Sequence, residues 1–386
     1  MDKGLDGLLT RAVSSDRVPG VIAGYADSQG MHYHFATGCR SLAPQTPMET
    51  DTVCAIASMT KAVAGAAVMQ LVERGDLDLN VPAGLLLPYL NDVMVLDRFD
   101  TAGQPVLRPP KTPVTLRQLL THTSGFAYEF WNVELKKYRE ATGHAGTLAG
   151  TIDGLKLPLV FDPGTAWDYG TGIDWAGLML EAVTGDSLKA YLEVNIFGPL
   201  RMQDTGYIPT PSMTGRLATV YARTPDGLQP FKLNRSGEPE FYGGGGGLYS
   251  TVSDYLRFCR MILREGELDG ERILKKETVA DMSTNAMGPI RVRPLPSTSA
   301  YFSNDAEFFP GVEKTWGLTF QINEADAPTG RSAGSLSWAG MFNTYFWIDP
   351  HKDLAGVLMT QLLPFADHDA LAVFEEFETA GYGLVT

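Results

Sequence analysis

The chain has 386 residues, 44% of them hydrophobic and 20% charged, with a formal net charge of −14. That length and apolar content provide for a sizeable core and about two domains. The acidic balance argues against nucleic acid and anionic membrane surfaces as partners, because both reward clustered Lys and Arg.

The first residues, Met1 to Asp6, carry no apolar leader, and no uninterrupted apolar run reaches the length of a membrane helix. The expectation is a cytoplasmic chain with no membrane partner. Its three cysteines, Cys39, Cys54 and Cys259, are odd in number and widely spaced, which argues against a disulfide framework.

Leu5 to Val13 reads as an amphipathic helix. Val21–Ala26 and Met31–Ala36 read as strands joined by the turn Asp27-Ser28-Gln29-Gly30. The apolar run Thr52 to Ala57 leads into Ser58 and a helix ending at Arg74-Gly75. From Leu77 to about Leu200 the pattern is helical and loop-rich, with Leu107 to Pro113 as a Pro- and Arg-containing connection. Phe126 to Val160 holds Tyr128, Phe130, Trp131 and Tyr138 and reads as a lid-like loop. Helices are expected over Ile173–Val183, Leu188–Ile196 and Ser253–Leu263. Strands are expected over Trp316–Ile322, Leu336–Ala339, Thr344–Ile348 and Ala355–Thr360, and a closing helix over Ala370–Thr379. The fold class is therefore α/β (α+β): an antiparallel sheet flanked by helices, built from both chain ends, with an inserted helical region. The boundaries are 1–57 with 225–386 for the sheet domain and 58–224 for the helical one, the lid-like segment being 126–160.

Three segments carry chemistry. In Ser58-Met59-Thr60-Lys61 the lysine lies one helical turn over the serine. A serine hydroxyl is a poor nucleophile until a positioned base activates it. Average usage yields about one or two Ser-x-x-Lys matches by chance in such a chain, so the strand–serine–helix context carries the weight. Ala62, Gly65 and Ala66 add a small-residue face for close packing. Tyr169 stands in the Gly-rich turn Asp168-Tyr169-Gly170-Thr171-Gly172, where its hydroxyl is able to face a cleft. Beside a lysine ammonium its pKa is expected to fall, making a phenolate base. Ser337-Trp338-Ala339-Gly340-Met341 reads as an edge strand along which an acyl group lies, its amide facing a developing oxyanion. Each of the three segments also has an ordinary structural explanation: a capped helix, a packed loop tyrosine and a hairpin with a glycine bulge.

Other signals fail. Ala26 to Gly30 lacks the strand–turn–helix setting of a nucleophile elbow. His32 and His34 have no further ligands to complete a metal site. Gly243 to Gly247 lacks the lysine and hydroxyl of a phosphate loop. Lys314-Thr315-Trp316 is a chance match to Lys-Thr-Gly, His122 has no triad partner, and Cys54 reads as a buried thiol.

Taken together, Ser58-Met59-Thr60-Lys61, Leu119-Leu120-Thr121-His122-Thr123-Ser124-Gly125, Tyr169-Gly170-Thr171 and Trp338-Ala339-Gly340 resemble the serine β-lactamase-like superfamily over nearly the whole chain. Within it they look most like the class C-related family VIII carboxylesterases. The resemblance implies Ser58 as nucleophile, Lys61 as its base partner and Tyr169 as shared base and then acid. It implies an oxyanion hole from the amides of Ser58 and Met341. Trp338, Ala339 and Gly340 would line the substrate, and Tyr128 and Trp131 would wall its pocket. No metal or organic cofactor is implied, and the partner is a small-molecule ester. Two departures bear on substrate. Thr171 stands where β-lactamases carry asparagine, and Trp338 where they carry lysine. Loss of a charge-assisted bond to carboxylate, about 1.5–3 kcal/mol, favours neutral, apolar acyl groups. The expected activity is ester hydrolysis. Acyl transfer, β-lactam or D-amino-peptide hydrolysis, and a non-enzymatic penicillin-binding scaffold are the alternatives.

Overall fold

The computed structural model describes residues 3–233 and 238–385; Met1 and Asp2, the start of the segment read as lacking a leader, lie outside them. Its centre is an eight-stranded antiparallel sheet. Side by side lie Lys314–Trp316, Gln321–Asn323, Leu336–Gly340, Thr344–Asp349, Leu354–Met359, Gly20–Ala26, Met31–Leu42 and Gln45–Pro47. The two chain ends meet where Gly20–Ala26 pairs with Leu354–Met359, Ile22 opposite Met359 and Ala26 opposite Ala355. Both of these strands are buried along their whole length, which is why each reads as a continuous apolar run rather than an alternation.

Helices cover both faces. Tyr33 packs against Phe377 of the closing helix and donates to Asp6 of the first helix, Lys3–Ser14, at 3.0 Å. On the opposite face Gly24 and Phe346 meet Val252–Leu263, through Val252, Leu256 and Tyr255. The expected hairpin turn forms because Asp27 Oδ1 accepts the amides of Gln29 and Gly30, at 2.7 and 2.9 Å.

Between the two parts of the sheet the chain is mainly helical. Thr60–Arg74 is buried over almost all its turns and packs on Gly172–Thr184 and Leu188–Leu192. Its C-terminus closes on Gly75 in the left-handed conformation. The small-residue face packs closely at Gly65, against the turn between Lys314–Trp316 and Gln321–Asn323. A Cβ on Gly65 would stand 1.8 Å from Thr319 Cγ2, so backbone and side chain touch with no space between.

Several elements differ from the sequence reading. The apolar run before Ser58 forms a strand only at Cys54–Ala55, paired with Tyr249–Ser250, and adds a single parallel bridge from Val53 to Leu217. Trp316 to Ile322 is not one strand: the chain folds back between Trp316 and Gln321, with Thr319 at φ 95°. A hairpin, Val95–Phe99 with Pro105–Arg108, buried at Val95 and Leu96, lies inside the stretch read as helix and loop and takes in part of the Leu107–Pro113 connection. Segment 126–160 is not mostly loop. Phe126 to Trp131 is buried, and Asn132 caps a helix over Val133–Thr142 in which only Leu135 is buried, so no apolar stripe announces it. The closing helix runs His368–Val385, through Gly381 and Gly383. Among the described residues no helix is long and apolar enough to cross a membrane.

The Gly65–Thr319 contact yields a stability prediction. Gly65→Ala gains about 1 kcal/mol of helix propensity, but overpacking costs about 1–3 kcal/mol. The variant should unfold at lower urea than the native chain with an unchanged m-value, and an equal or higher midpoint would contradict the contact.

Candidate active site

Ser58 sits in a single 3-10 turn, Ala57–Met59, that feeds directly into the Thr60–Arg74 helix. Ala57 takes φ 43°, a left-handed conformation that swings the turn away from the preceding strand. One turn on, Lys61 is fully buried. Its Nζ lies 3.3 Å from Ser58 Oγ, 3.0 Å from Tyr128 Oη and 2.6 Å from the Gly245 carbonyl. The rings of Tyr169 and Tyr128 stand beneath it, with centroids at 4.8 and 5.2 Å. Burial lowers the amine to about 7, against the opposing pull of the Asp174 carboxylate. Near neutral pH this amine is therefore able to take a proton from the serine.

Tyr169 is also fully buried, and its Oη accepts the indole N–H of Trp338 at 2.8 Å. Burial raises its pKa, although its hydrogen bonds with Ser58 and Trp338 work the other way. The expected phenolate is thus corrected: desolvation outweighs those bonds, and Tyr169 is a neutral phenol. Lys61 is the group whose proton is in play.

The Leu336–Gly340 strand brings Trp338 to the site, where its ring packs on Tyr169 at 4.6 Å and Trp316 at 4.7 Å. Ala339 does not follow. It pairs with Tyr345, whose ring stacks on Phe374 of the closing helix, so the methyl group lies on the opposite face of the sheet. Of Ala339 it is therefore the backbone, and not the methyl group, that this strand offers on the Trp338 side. Gly340 faces the serine turn so closely that a Cβ would stand 2.2 Å from the Ile56 carbonyl. Met341 follows it at the start of the turn to the next strand. Asn343 pins the same turn: its Nδ2 donates to the Leu362 and Pro364 carbonyls, both at 2.8 Å.

Tyr128, expected as pocket wall, is also a hydrogen-bond partner of Lys61. Trp131 stands behind Tyr169 at 5.5 Å, its indole N–H bonded to Ser303 Oγ at 2.9 Å. Asp174 was passed over in the sequence. It is buried and accepts the Gly245 amide at 2.8 Å. The carbonyl of the same residue accepts from Lys61, so Gly245 stands between the carboxylate and the amine. A Cβ on Gly245 would lie 2.3 Å from Asp174 Oδ2, which explains a glycine there. The available signal was an acid in the first turn of the helix after Tyr169, together with the unexplained glycine run.

Cys54 is buried and its thiol is pushed up to about 12 by desolvation, so it is inert beside the serine. Among the described residues no cluster of three or more His, Cys, Asp or Glu is placed to hold a metal ion. A cleft of about 820 Å3 opens on the far side of the Tyr169 turn, lined by Asn132, Trp167, Asp168 and Arg293; Ser58 and Lys61 are not part of it.

The beta-lactamase family model matches residues 5–379. The chain belongs to the beta-lactamase family. Curated members similar to it include the monacolin J acid methylbutanoyltransferase of Aspergillus terreus, 31% identical over 392 residues, with 96% of this chain and 93% of that protein covered. Lovastatin esterase of Penicillium rubens is 30% identical over 384 residues, with 95% of each covered. Unliganded simvastatin synthase from Aspergillus terreus superposes with a TM-score of 0.86 at 30% identity, covering 98% of this chain and 97% of that one. A hydrolase with promiscuous acyltransferase activity, EstCE1, is similar in fold, with a TM-score of 0.76 at 21% identity. This beta-lactamase-family chain is a serine enzyme of acyl-transferring or hydrolytic type.

With Lys61 as the base for Ser58, its protonation sets the expected pH dependence. Below about 7 the ammonium has no lone pair for the serine proton; above it the amine is free. The kcat/KM for a neutral ester should therefore rise with pH through about 7, falling about tenfold per unit on the acid side. A profile flat from about pH 5 to about pH 9 would exclude Lys61 as the base.

Proposed function

We propose that this chain is a serine carboxylesterase that hydrolyses short-chain, apolar carboxylic esters through a covalent acyl-enzyme on Ser58. The observation that carries the reading is the buried Lys61 amine, lowered to about 7 and 3.3 Å from Ser58 Oγ. In this mechanism Lys61 takes the Ser58 proton as Oγ bonds to the ester carbonyl carbon. The carbonyl π-electrons move to oxygen, which the amides of Ser58 and Met341 stabilise. The tetrahedral carbon then expels the alcohol oxygen. The proton held on Lys61 reaches that oxygen through the Tyr169 phenol, which gives up one proton and receives another. Water attacks the acyl-enzyme by the same steps in reverse and releases the acid.

The chemistry of the surroundings supports apolar substrates. Trp338, Trp316, Tyr169, Tyr128 and Trp131 form a continuous group of rings around the site. No ammonium stands at position 338 to hold a substrate carboxylate, which makes β-lactams poor substrates. Acyl transfer to an alcohol is the second reading. It is favoured by the relative whose name gives it as a methylbutanoyltransferase, as similar in sequence as the one named an esterase. A methylbutanoyl group is a short, branched, apolar acyl, consistent with the ring-lined site.

A panel of short-chain p-nitrophenyl esters, run on native protein and Ser58→Ala, tests the proposal. Hydrolysis should fall at least about a thousandfold in the variant, and retained activity would overturn the mechanism. Native turnover of a chromogenic cephalosporin matching that of p-nitrophenyl butyrate would overturn the substrate class. Adding an apolar alcohol and measuring ester against free acid separates hydrolysis from transfer.

A further inference from the structure

The Leu119–Gly125 stretch contributes no atom to the reaction proposed above, yet it lies directly behind Tyr169. The Leu116–Leu120 helix, held at its start by a Thr115–Gln118 capping box, ends at Thr121. The next residue, His122, takes φ 58°, a left-handed conformation unfavourable for most side chains and therefore imposed by its surroundings. That conformation turns both its carbonyl and its ring toward the Tyr169 turn. The amide of Asp168 donates to the His122 carbonyl at 3.0 Å, and the amide of Gly170 donates to His122 Nδ1 at 3.3 Å. The residues on either side of Tyr169 are thus bonded to a single residue. The imidazole also lies against the phenol ring, with centroids 4.6 Å apart.

We infer that His122 is the positioning residue of Tyr169: its Nδ1 and carbonyl fix the flanking peptides so that the phenol reaches Ser58. This rests on the role proposed for Tyr169.

The choice of residue is the second line of argument. A Nδ1 that accepts leaves the proton on Nε2. His122 Nε2 is buried without a hydrogen-bond partner, among the rings of Trp167 and Trp316 at 6.4 and 4.9 Å. Were this site only a filler of the aromatic core, phenylalanine would occupy it with no unmatched donor, and an unmatched buried donor is destabilising. What the imidazole adds is the acceptor for Gly170. Burial, reinforced by the charge of Lys61, holds the ring well below its ordinary pKa, so the acceptor persists across the range in which Lys61 titrates.

The test separates the acceptor from the ring. His122→Asn keeps an acceptor near the Nδ1 position and suits a left-handed backbone; His122→Phe keeps the ring and loses the acceptor. With p-nitrophenyl butyrate, kcat should fall about tenfold or more in His122→Phe with KM within about twofold, while His122→Asn keeps kcat within about threefold. Equal losses in both, or full kcat in His122→Phe, would overturn the inference. If neither variant folds, 15N-histidine spectra of the native protein decide it. One of the six histidines should remain a neutral Nε2–H tautomer from about pH 5 to about pH 9, and a His122 signal that titrates or is protonated at Nδ1 would overturn it. Tyr169→Phe separates the two readings: if it stays active, the role proposed for Tyr169 fails. If it is inactive while His122→Phe is fully active, only the positioning of Tyr169 by His122 fails.

Discussion

A lysine amine taken out of water is the constraint around which this molecule is arranged. An ammonium in a fully buried position is held there only by partners, and Lys61 has three within 3.3 Å. One is the hydroxyl it serves. The others, the Gly245 carbonyl and the Tyr128 hydroxyl, are neutral, so they orient the amine without restoring the ammonium as a carboxylate in direct contact would. Asp174 supplies negative charge at one remove, with Gly245 between it and the amine, and burial remains the larger influence. The result is a base whose proton is mobile near neutrality.

The fold delivers these parts from distant places. Ser58 and Lys61 open one helix. Asp174 sits in the first turn of a second helix, the glycine run approaches from a loop, and the Met341 turn comes from the far end of the chain. Close backbone approach is the common device. Gly65 lets the serine helix press on Thr319, Gly340 lets the sheet edge reach Ile56, and Gly245 lets a peptide wrap a carboxylate. A side chain at any of them would push apart two segments that pack against each other around the site.

Ser58, Lys61 and Tyr169 were legible in the sequence because their signals are local: a three-residue spacing at a helix start and a tyrosine on a glycine-rich turn. The sheet from both chain ends was legible for the same reason, since Val21–Ala26 and Ala355–Thr360 are apolar runs bounded by turns. What escaped depends on contacts across the chain. Tyr128 meets Lys61 across 67 positions, and Asp174 meets Gly245 across 71. The protonation of Tyr169 was misjudged because a neighbouring cation is visible in sequence while the depth of burial is not. The direction of the Ala339 methyl was not legible in its triplet, because the pleat sends alternate side chains to opposite faces. The exposed helix over Val133–Thr142 escaped because one buried residue makes no periodic pattern.

The bond from the Trp338 indole to the Tyr169 hydroxyl ties two properties that are usually separable. Trp338 stands where β-lactamases carry lysine and so bears on which acyl groups are accepted. Through its N–H it also fixes the orientation and acidity of the phenol that, in the proposed mechanism, passes the proton. A change at this one position therefore alters selectivity and turnover together. A lineage moving from esters toward carboxylate-bearing substrates would have to replace the lost N–H donor in the same step, or pass through a slower ancestor.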